Sequence, residues 1–434
     1  MEQAGERTRR DEDVRARNHD AVVAYVRSGA HGGASRGLLG VEVEHFPLFD
    51  DGTPLSYLPR DGRIGVVDLL EALSARYPER GLTPAGDLVE LSGPEGTITL
   101  EPAAQVEMSL APHCGIDSIE RDYRAFLEAA DGFLAEHGAH LVSLGYHPTR
   151  RAFDMPLIPK DRYRLMDEYF VRHVRQHGER MMRGSASEQV SVDYADEADC
   201  VRKMRVASAL APVLAAICDN TPVFEAEPNA TPIRRLDMWR HVSPANCGVV
   251  PGVFDEGFGF DAYADWVLGT VPIFVTRPEV RPVFDRTAAE AYADAPMGEA
   301  DVAHLLSMFW PDARLKRVIE IRPADCLPPD CVAGYAALVK GLLYDEESRR
   351  EVEGMVGVEG GAWPIREDDV EAARVDVEHR GFDGLVYGIP LLDWEDELFS
   401  LARAALPDGE AARLDALEAF ANEKPWWKPE GARA

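Results

Sequence analysis

Four stretches of the chain alternate apolar and polar residues with a period of two, and in each the polar positions carry carboxylates, amides or cations. In Leu38-Leu-Gly-Val-Glu-Val-Glu-His-Phe46, a strand would place Glu42 and Glu44 on one face and Val41, Val43 and His45 on the other. Two carboxylates two residues apart along a strand lie about 7 Å from each other. In Thr97-Ile-Thr-Leu-Glu-Pro-Ala-Ala-Gln-Val-Glu-Met108 the parity runs through Thr97, Thr99, Glu101, Gln105 and Glu107, with Pro102 interrupting the ladder as at a bulge or an edge. Glu188-Gln-Val-Ser-Val-Asp193 aligns Gln189, Ser191 and Asp193. Arg314-Leu-Lys-Arg-Val-Ile-Glu-Ile-Arg322 sets Arg314, Lys316, Val318, Glu320 and Arg322 on one face of a fourth strand. His45 falls on an apolar side and reads as a core histidine rather than a base.

Apolar spacing of three and four predicts helices over 66–77, 117–137, 161–177, 197–219 and 332–344. A charged helix over 11–26 precedes Gly29, Gly32, Gly33 and Gly37, which read as a flexible joint between that helix and the body. Leu398, Leu401, Ala405 and then Leu414, Leu417, Phe420 predict a helical region near the C-terminal end, and 424–434 reads as irregular. The pattern has no βαβ rhythm and no internal repeat. The expected organisation is a helix and joint over 1–36, a catalytic domain over 37–350 and a helical region over 351–434 packed on it.

Composition narrows the functional classes. The 434 residues carry 46 Lys+Arg against 76 Asp+Glu, a net charge of −30, with 46% hydrophobic and 28% charged positions. That is a globular composition, long enough for a substantial core. The acidity argues against nucleic acid or anionic membrane as partner, since both call for a cationic face. Six cysteines without a CxxC pair read as reduced thiols of a cytoplasmic protein. The first ten residues lack the basic-then-apolar order of a leader, and the longest apolar run, near 207–218, is too short to span a bilayer. The expectation is a cytoplasmic monomer or homodimer acting on small molecules.

Each polar face alone matches the solvated side of an antiparallel sheet. Together they are dominated by carboxylates and amides, with one cationic strand. Gathered carboxylates repel unless cations neutralise them, and hard oxygen ligands select Mg²⁺, Mn²⁺ or Ca²⁺ over zinc. Lys316 and Arg322 beside Glu320 add a place for phosphate. The chain has no GxxxxGK[ST] loop, no GxGxxG opening a helix, no HExxH and no GxSxG, so a nucleotide would be held through metal ions and side chains.

The ordered set of motifs resembles the plant-type (family 2) glutamate-cysteine ligases, which also occur in bacteria. It runs from Gly40-Val-Glu-Val-Glu44 through Thr99-Leu-Glu-Pro-Ala-Ala-Gln-Val-Glu107, Ile158-Pro-Lys-Asp-Arg-Tyr163, Gln189-Val-Ser-Val-Asp193 and Arg235-Leu-Asp-Met-Trp239 to Arg314-Leu-Lys-Arg-Val-Ile-Glu-Ile-Arg322, ending near Gly341-Leu-Leu-Tyr-Asp345. The resemblance implies an α+β, glutamine-synthetase-like fold: a curved antiparallel sheet of about six strands forms a funnel flanked by helices and binds Mg²⁺, ATP and glutamate. It implies phosphorylation of the glutamate γ-carboxylate by ATP, then attack by the amine of cysteine to give γ-glutamylcysteine, ADP and phosphate.

Carried over residue by residue, the resemblance implies Glu42, Glu44, Glu107 and Glu320 as ligands of Mg²⁺, with Mn²⁺ as a substitute. Arg322 and Lys316 become the catalytic cations on the transferred phosphoryl group, Gln189 lies beside the nucleotide metal, and Arg235, Trp239, Glu101 and Gln105 bind substrate. The chain departs from the family where EPGGQ is Glu101-Pro-Ala-Ala-Gln105, QVN is Gln189-Val-Ser191 and DRTG is Ala245-Asn-Cys-Gly248, the last with loss of a positive charge at Asn246. The departures leave the implied metal set intact and keep three alternatives open: a γ-glutamyl ligase with another amine acceptor, a phosphotransferase on the same fold, and a non-catalytic homologue.

Overall fold

The central strand, β1 (Leu39–Phe49), forms because Leu39, Val41 and Val43 bury one face while Gly40, Glu42 and Glu44 stay half-buried on the other. In the computed structural model of the protein, residues 2–33, 36–174, 177–243, 245–277, 279–283 and 285–427 are described, with side chains from residue 13 onward. The expected irregular end therefore lies outside the described residues from 428 on. The remaining strands of the sheet are β2 (Glu79–Leu82), β3 (Leu88–Gly93), β4 (Gly96–Leu100), β5 (Val106–Leu110), β6 (Ala139–Val142), β7 (Glu188–Val192), β8 (Ala313–Leu315) and β9 (Ile319–Ile321). Their order is β8-β9-β7-β1-β5-β4-β3-β2, with β6 paired to the far half of β1, and every pairing is antiparallel.

The sheet thus has nine strands against about six expected. Part of the difference is the β2–β3 hairpin, whose exposed residues show little alternation. The short β6 is a further strand, and two of the four strands read from their polar faces are each a hairpin. The stretch around Pro102 reverses, so that Thr99 faces Glu107 across β4 and β5. The stretch around Arg317 reverses too, with Lys316 N–H bonded to Val318 O, and brings Arg314 opposite Glu320. In both cases the opposed pairs keep their polar side chains on the face that carries Glu42 and Glu44.

The helices include α1 (Glu2–Arg27), α2 (Val66–Leu73), α3 (Ile116–Ala135), α4 (Asp161–His173), α5 (Glu197–Ile217), α6 (Arg234–Val242), α7 (Pro329–Tyr344), α8 (Leu391–Ala405) and α9 (Leu414–Asn422). Four of the expected helices end two to four residues earlier than their apolar spacing allows, and α7 begins three earlier because Pro329 is well suited to a first turn. Behind the sheet, α7 packs on β1 and β7 and carries α8 and α9, while α3 covers β5 and β6. This apolar side is the core, with His45 buried in it between Tyr123 Oη at 3.2 Å and Ser143 Oγ at 3.1 Å.

The N-terminal helix is docked rather than held off by its glycines. Val22 and Val26 of α1 are fully buried, and the Asn18 side chain accepts from Met297 N at 2.7 Å and donates to Tyr292 O at 3.1 Å. Among the described residues no helix is long and apolar enough to cross a membrane. Cys114 is exposed, and the other five cysteines are buried and unbridged.

Candidate active site

The polar face of the sheet forms one wall of a cavity of about 340 Å³ that Glu42, Glu44 and Glu107 enter. Strand register puts Glu44 directly opposite Glu107 across β1 and β5, and Glu42 opposite Gln189 across β1 and β7. Ser187 N–H donates to one oxygen of Glu44 at 2.8 Å, and Thr99 Oγ1 donates to Glu107 at 2.6 Å. Burial, together with Glu107 and Glu320, pushes the Glu42 carboxyl up to about 7. Burial and Glu101 push Glu107 up to about 7, and burial with Glu101 and Glu107 holds Glu44 well above the usual carboxylate range. Buried acids that crowd one another in this way fit divalent cations, whose charge would offset both the desolvation and the repulsion.

Cations come from three other elements. Lys160 caps α4 and Arg162 lies in its first turn; Arg235 and Trp239 project from α6; Arg314 and Arg322 belong to the β8–β9 hairpin and the residue after it. The lining therefore holds four carboxylates (Glu42, Glu44, Glu101, Glu107) and five cations (Lys160, Arg162, Arg235, Arg314, Arg322), a near balance within a chain of −30.

Glu320 is not a lining residue; it organises the cations behind the wall. It accepts from Arg314 Nε at 2.6 Å, Arg322 Nη1 at 3.0 Å and Lys316 Nζ at 3.0 Å. Burial works against its charge, but Arg314, Lys316 and Arg322 outweigh that and hold it well below the usual range. Arg322 also donates to Gln189 Oε1. Burial and Arg314 lower Arg322 to about 10, which leaves it protonated at neutral pH. Arg235 Nε donates to Arg322 O at 3.1 Å, and the two guanidinium groups lie 5.6 and 5.5 Å from the Trp239 ring. Trp239 thus holds both through cation–π contact.

The turn that carries Lys316 is braced from outside. Tyr194 Oη donates to Val26 O of α1 and to Lys316 O, and the Arg317 guanidinium sits 4.6 Å from the Tyr25 ring centroid. Gly29 packs so tightly here that a Cβ would overlap Arg317 O and press on Tyr194 Oη.

The structure brings Glu42, Glu44, Glu101, Gln105, Glu107, Gln189, Arg235, Trp239 and Arg322 around one cavity, with Lys316 and Glu320 behind it. Gln105 has little left for a ligand. Its amide nitrogen donates to Ser185 O at 3.0 Å and Met182 O at 3.3 Å, and its oxygen accepts from Ala103 N at 2.8 Å, stapling the 101–105 turn to the π-turn Arg180–Gly184. In that turn Ala104 holds φ +68°, a left-handed conformation that costs a residue with a Cβ about 1 kcal/mol. Asn246 is built into backbone, donating to Val271 O and Met308 O at 3.4 Å, and does not line the cavity. Sequence reasoning missed Lys160, Arg162 and Arg314 as lining cations. The Pro159-Lys-Asp-Arg-Tyr163 motif and the shared parity of Arg314 with Glu320 were the available signals.

Three comparisons bear on this arrangement. The family described as Glutamate-cysteine ligase family 2 matches residues 38–418. The chloroplastic glutamate–cysteine ligase of Nicotiana tabacum is 28% identical over 395 residues, covering 83% of this chain and 74% of the relative, and ligase B of Oryza sativa subsp. japonica is 31% identical over 347 residues, covering 77% and 68%. A glutamate–cysteine ligase from Francisella tularensis, solved in complex with AMP, superposes with a TM-score of 0.52 at 12% identity, covering 90% of this chain and 83% of that one, a likeness of fold. The carboxylate strands, the hairpin cations and α6 all fall within the matched region, and the chain belongs to glutamate–cysteine ligase family 2.

Proposed function

We propose that the chain joins the γ-carboxylate of glutamate to the amine of cysteine, with ATP converted to ADP and phosphate through a γ-glutamyl phosphate. The observation that most supports this is the meeting, in one cavity, of the half-buried carboxylates Glu42, Glu44 and Glu107 with Arg235, Arg322 and Lys160. A carboxylate is a poor electrophile until one oxygen becomes a phosphate leaving group, and its approach to a triphosphate has to be neutralised.

Glu42, Glu44 and Glu107 would hold Mg²⁺, or Mn²⁺ in its place, which supplies that neutralisation when bound. Glu320 is already triply bonded by cations and would join them only when Lys316 lets go. Arg322 presents its fork to the transferred phosphoryl group, oriented by Gln189 and Trp239, with Lys316 as a second positive charge. Arg235 takes the α-carboxylate of glutamate against the Trp239 ring, and Glu101 takes its amino group. Gln105 serves by position, fixing the turn beneath the cavity. In this reading the polar sheet face is the inner wall of a glutamine-synthetase-like funnel, residues 37–350 form the catalytic unit with 351–434 packed on it, and the protein works in the cytoplasm.

Purified protein supplied with Mg²⁺, ATP, glutamate and cysteine should release ADP in an amine-dependent way and yield a product with the mass of γ-glutamylcysteine. A dipeptide formed only with another amine would reassign the acceptor. A stable phosphorylated substrate in place of a dipeptide would make the chain a phosphotransferase, and no turnover across a broad amine panel would make it a non-catalytic homologue.

A further inference from the structure

We propose that His177, Asp237 and His241 form a second cation site, outside the carboxylate-lined cavity, that takes one divalent transition-metal ion of the zinc class. Asp237 and His241 are four residues apart on α6 and therefore share a face. His177 approaches that face from the segment just ahead of the π-turn. One ligand atom from each residue lies within 4.8 Å of the other two, and no other three His, Cys, Asp or Glu residues among the described ones converge so closely. The two imidazole rings are 5.5 Å apart between centroids.

The donor chemistry selects the ion. Two imidazoles and one carboxylate suit Zn²⁺, Co²⁺ or Ni²⁺, whereas Mg²⁺ prefers oxygen alone. His241 Nδ1 donates to Asp237 O at 2.8 Å and lies 3.2 Å from Asp237 Oδ1, contacts that fix the ring against the carboxylate. Asp237 is buried and both histidines are half-buried, so the open coordination positions remain accessible to water.

Three arginines occupy these groups, and each has somewhere else to go. Arg234 and Arg240 donate to Asp237 at 3.1 and 3.2 Å, and Arg180 donates to His177 Nδ1 at 3.4 Å. Arg234 also reaches Asn229 at 3.3 Å, Arg240 reaches Glu371 at 2.6 Å, and Arg180 reaches Glu225 at 3.4 Å. A bound metal ion would displace Arg240 and Arg180 onto Glu371 and Glu225, while Arg234 would keep the neutral Asn229 amide and the Phe224 ring. An ion there ties α6, which carries Arg235 and Trp239, to the π-turn, which carries Met181 and Met182, joining two walls of the cavity.

The site is tested by titrating the full chain with Co²⁺ in excess Mg²⁺, which saturates oxygen-only sites, and reading the ligand-field bands. One equivalent should bind with bands of nitrogen coordination, compete with Zn²⁺, and be unaffected by Glu42→Gln. His177→Gln and His241→Gln should each weaken binding by more than about tenfold, because even residues that merely orient a ligand contribute that much. Protection of both histidines of the unmutated protein from diethyl pyrocarbonate by Zn²⁺, mapped by mass spectrometry, reads the same site without a variant. Undiminished binding in His177→Gln and His241→Gln, or equal modification with and without Zn²⁺, overturns the assignment.

Discussion

Glu44 and Glu107 stand directly opposite one another on adjacent antiparallel strands, where like charges destabilise a ladder. The protein tolerates this because Ser187 N–H and Thr99 Oγ1 each bond one of the pair, and because burial pushes both carboxyls above the usual carboxylate range. Glu107→Gln should therefore raise the Tm of the metal-free protein by about 1 to 2 °C, from roughly 1 kcal/mol of relieved repulsion, while ligase activity collapses. Calorimetry in chelator, then with Mg²⁺ added, checks this: Mg²⁺ should stabilise the unmutated protein more than the variant.

Arg322 spends Nη1 on Gln189 and Glu320 and offers a planar guanidinium fork, whereas a lysine supplies only a point charge. Arg322→Lys should leave the fold intact, lower kcat by about 100-fold and change the KM for glutamate little, as expected for a fork that acts on charge developing in the transition state. Steady-state kinetics with both substrates varied would show it. An equal loss in KM and none in kcat would place Arg322 in ground-state binding instead.

How much of this was legible in the sequence depends on which force fixes each residue. Glu42 and Glu44 were readable because burial of Val41 and Val43 forces a period of two, and the family position agreed. The hairpins at Pro102 and Arg317 were not, since the polar parity continues through each turn and hides the reversal. Lys160 and Arg162 come from the start of a helix, where a single cation carries no period. Gln105 looked like a ligand by strand parity and by the family resemblance, yet its amide is used by backbone carbonyls that only tertiary structure brings near. Arg235 was placed from one motif, and it lies against the Trp239 ring in the cavity wall, a packing that no spacing within the motif displays.

Glu395 gives a pH dependence away from the cavity. It is buried on α8 with both carboxyl oxygens lacking a hydrogen-bond partner, and burial, partly offset by Lys424, pushes it up to about 8. Between the ordinary value near 4.5 and about 8, the folded state holds a proton that the unfolded chain has lost. This group therefore contributes a loss of stability as pH rises through that window, and none below it. Glu395→Gln should remove the dependence, making the variant more stable than the parent by roughly 4 kcal/mol at pH 8 and about equal at pH 4.5. Urea unfolding at the two pH values measures the difference.

Gly29 lies outside the region that matches the family, yet its packing reaches the hairpin. Gly29→Ala should push the Arg317 turn away from Tyr194 and α1, lowering kcat by about tenfold with little change in metal affinity, since Lys316 shifts while the strand carboxylates stay. Comparing Mn²⁺ binding with turnover in the same variant separates the two. A parallel loss in both would mean general unfolding.

The acids and cations of the cavity come from elements of different rigidity: Glu42, Glu44 and Glu107 from the two central strands, Arg235 and Trp239 from a nine-residue helix, Lys160 and Arg162 from a helix start. In evolutionary terms that arrangement is modular. The strands cannot change register without inverting every side chain, so the phosphoryl-transfer equipment is locked in place. The helix residues carry no such constraint, so a substitution at Arg235, Lys160 or Arg162 changes one contact of the cavity while the strand carboxylates keep their places.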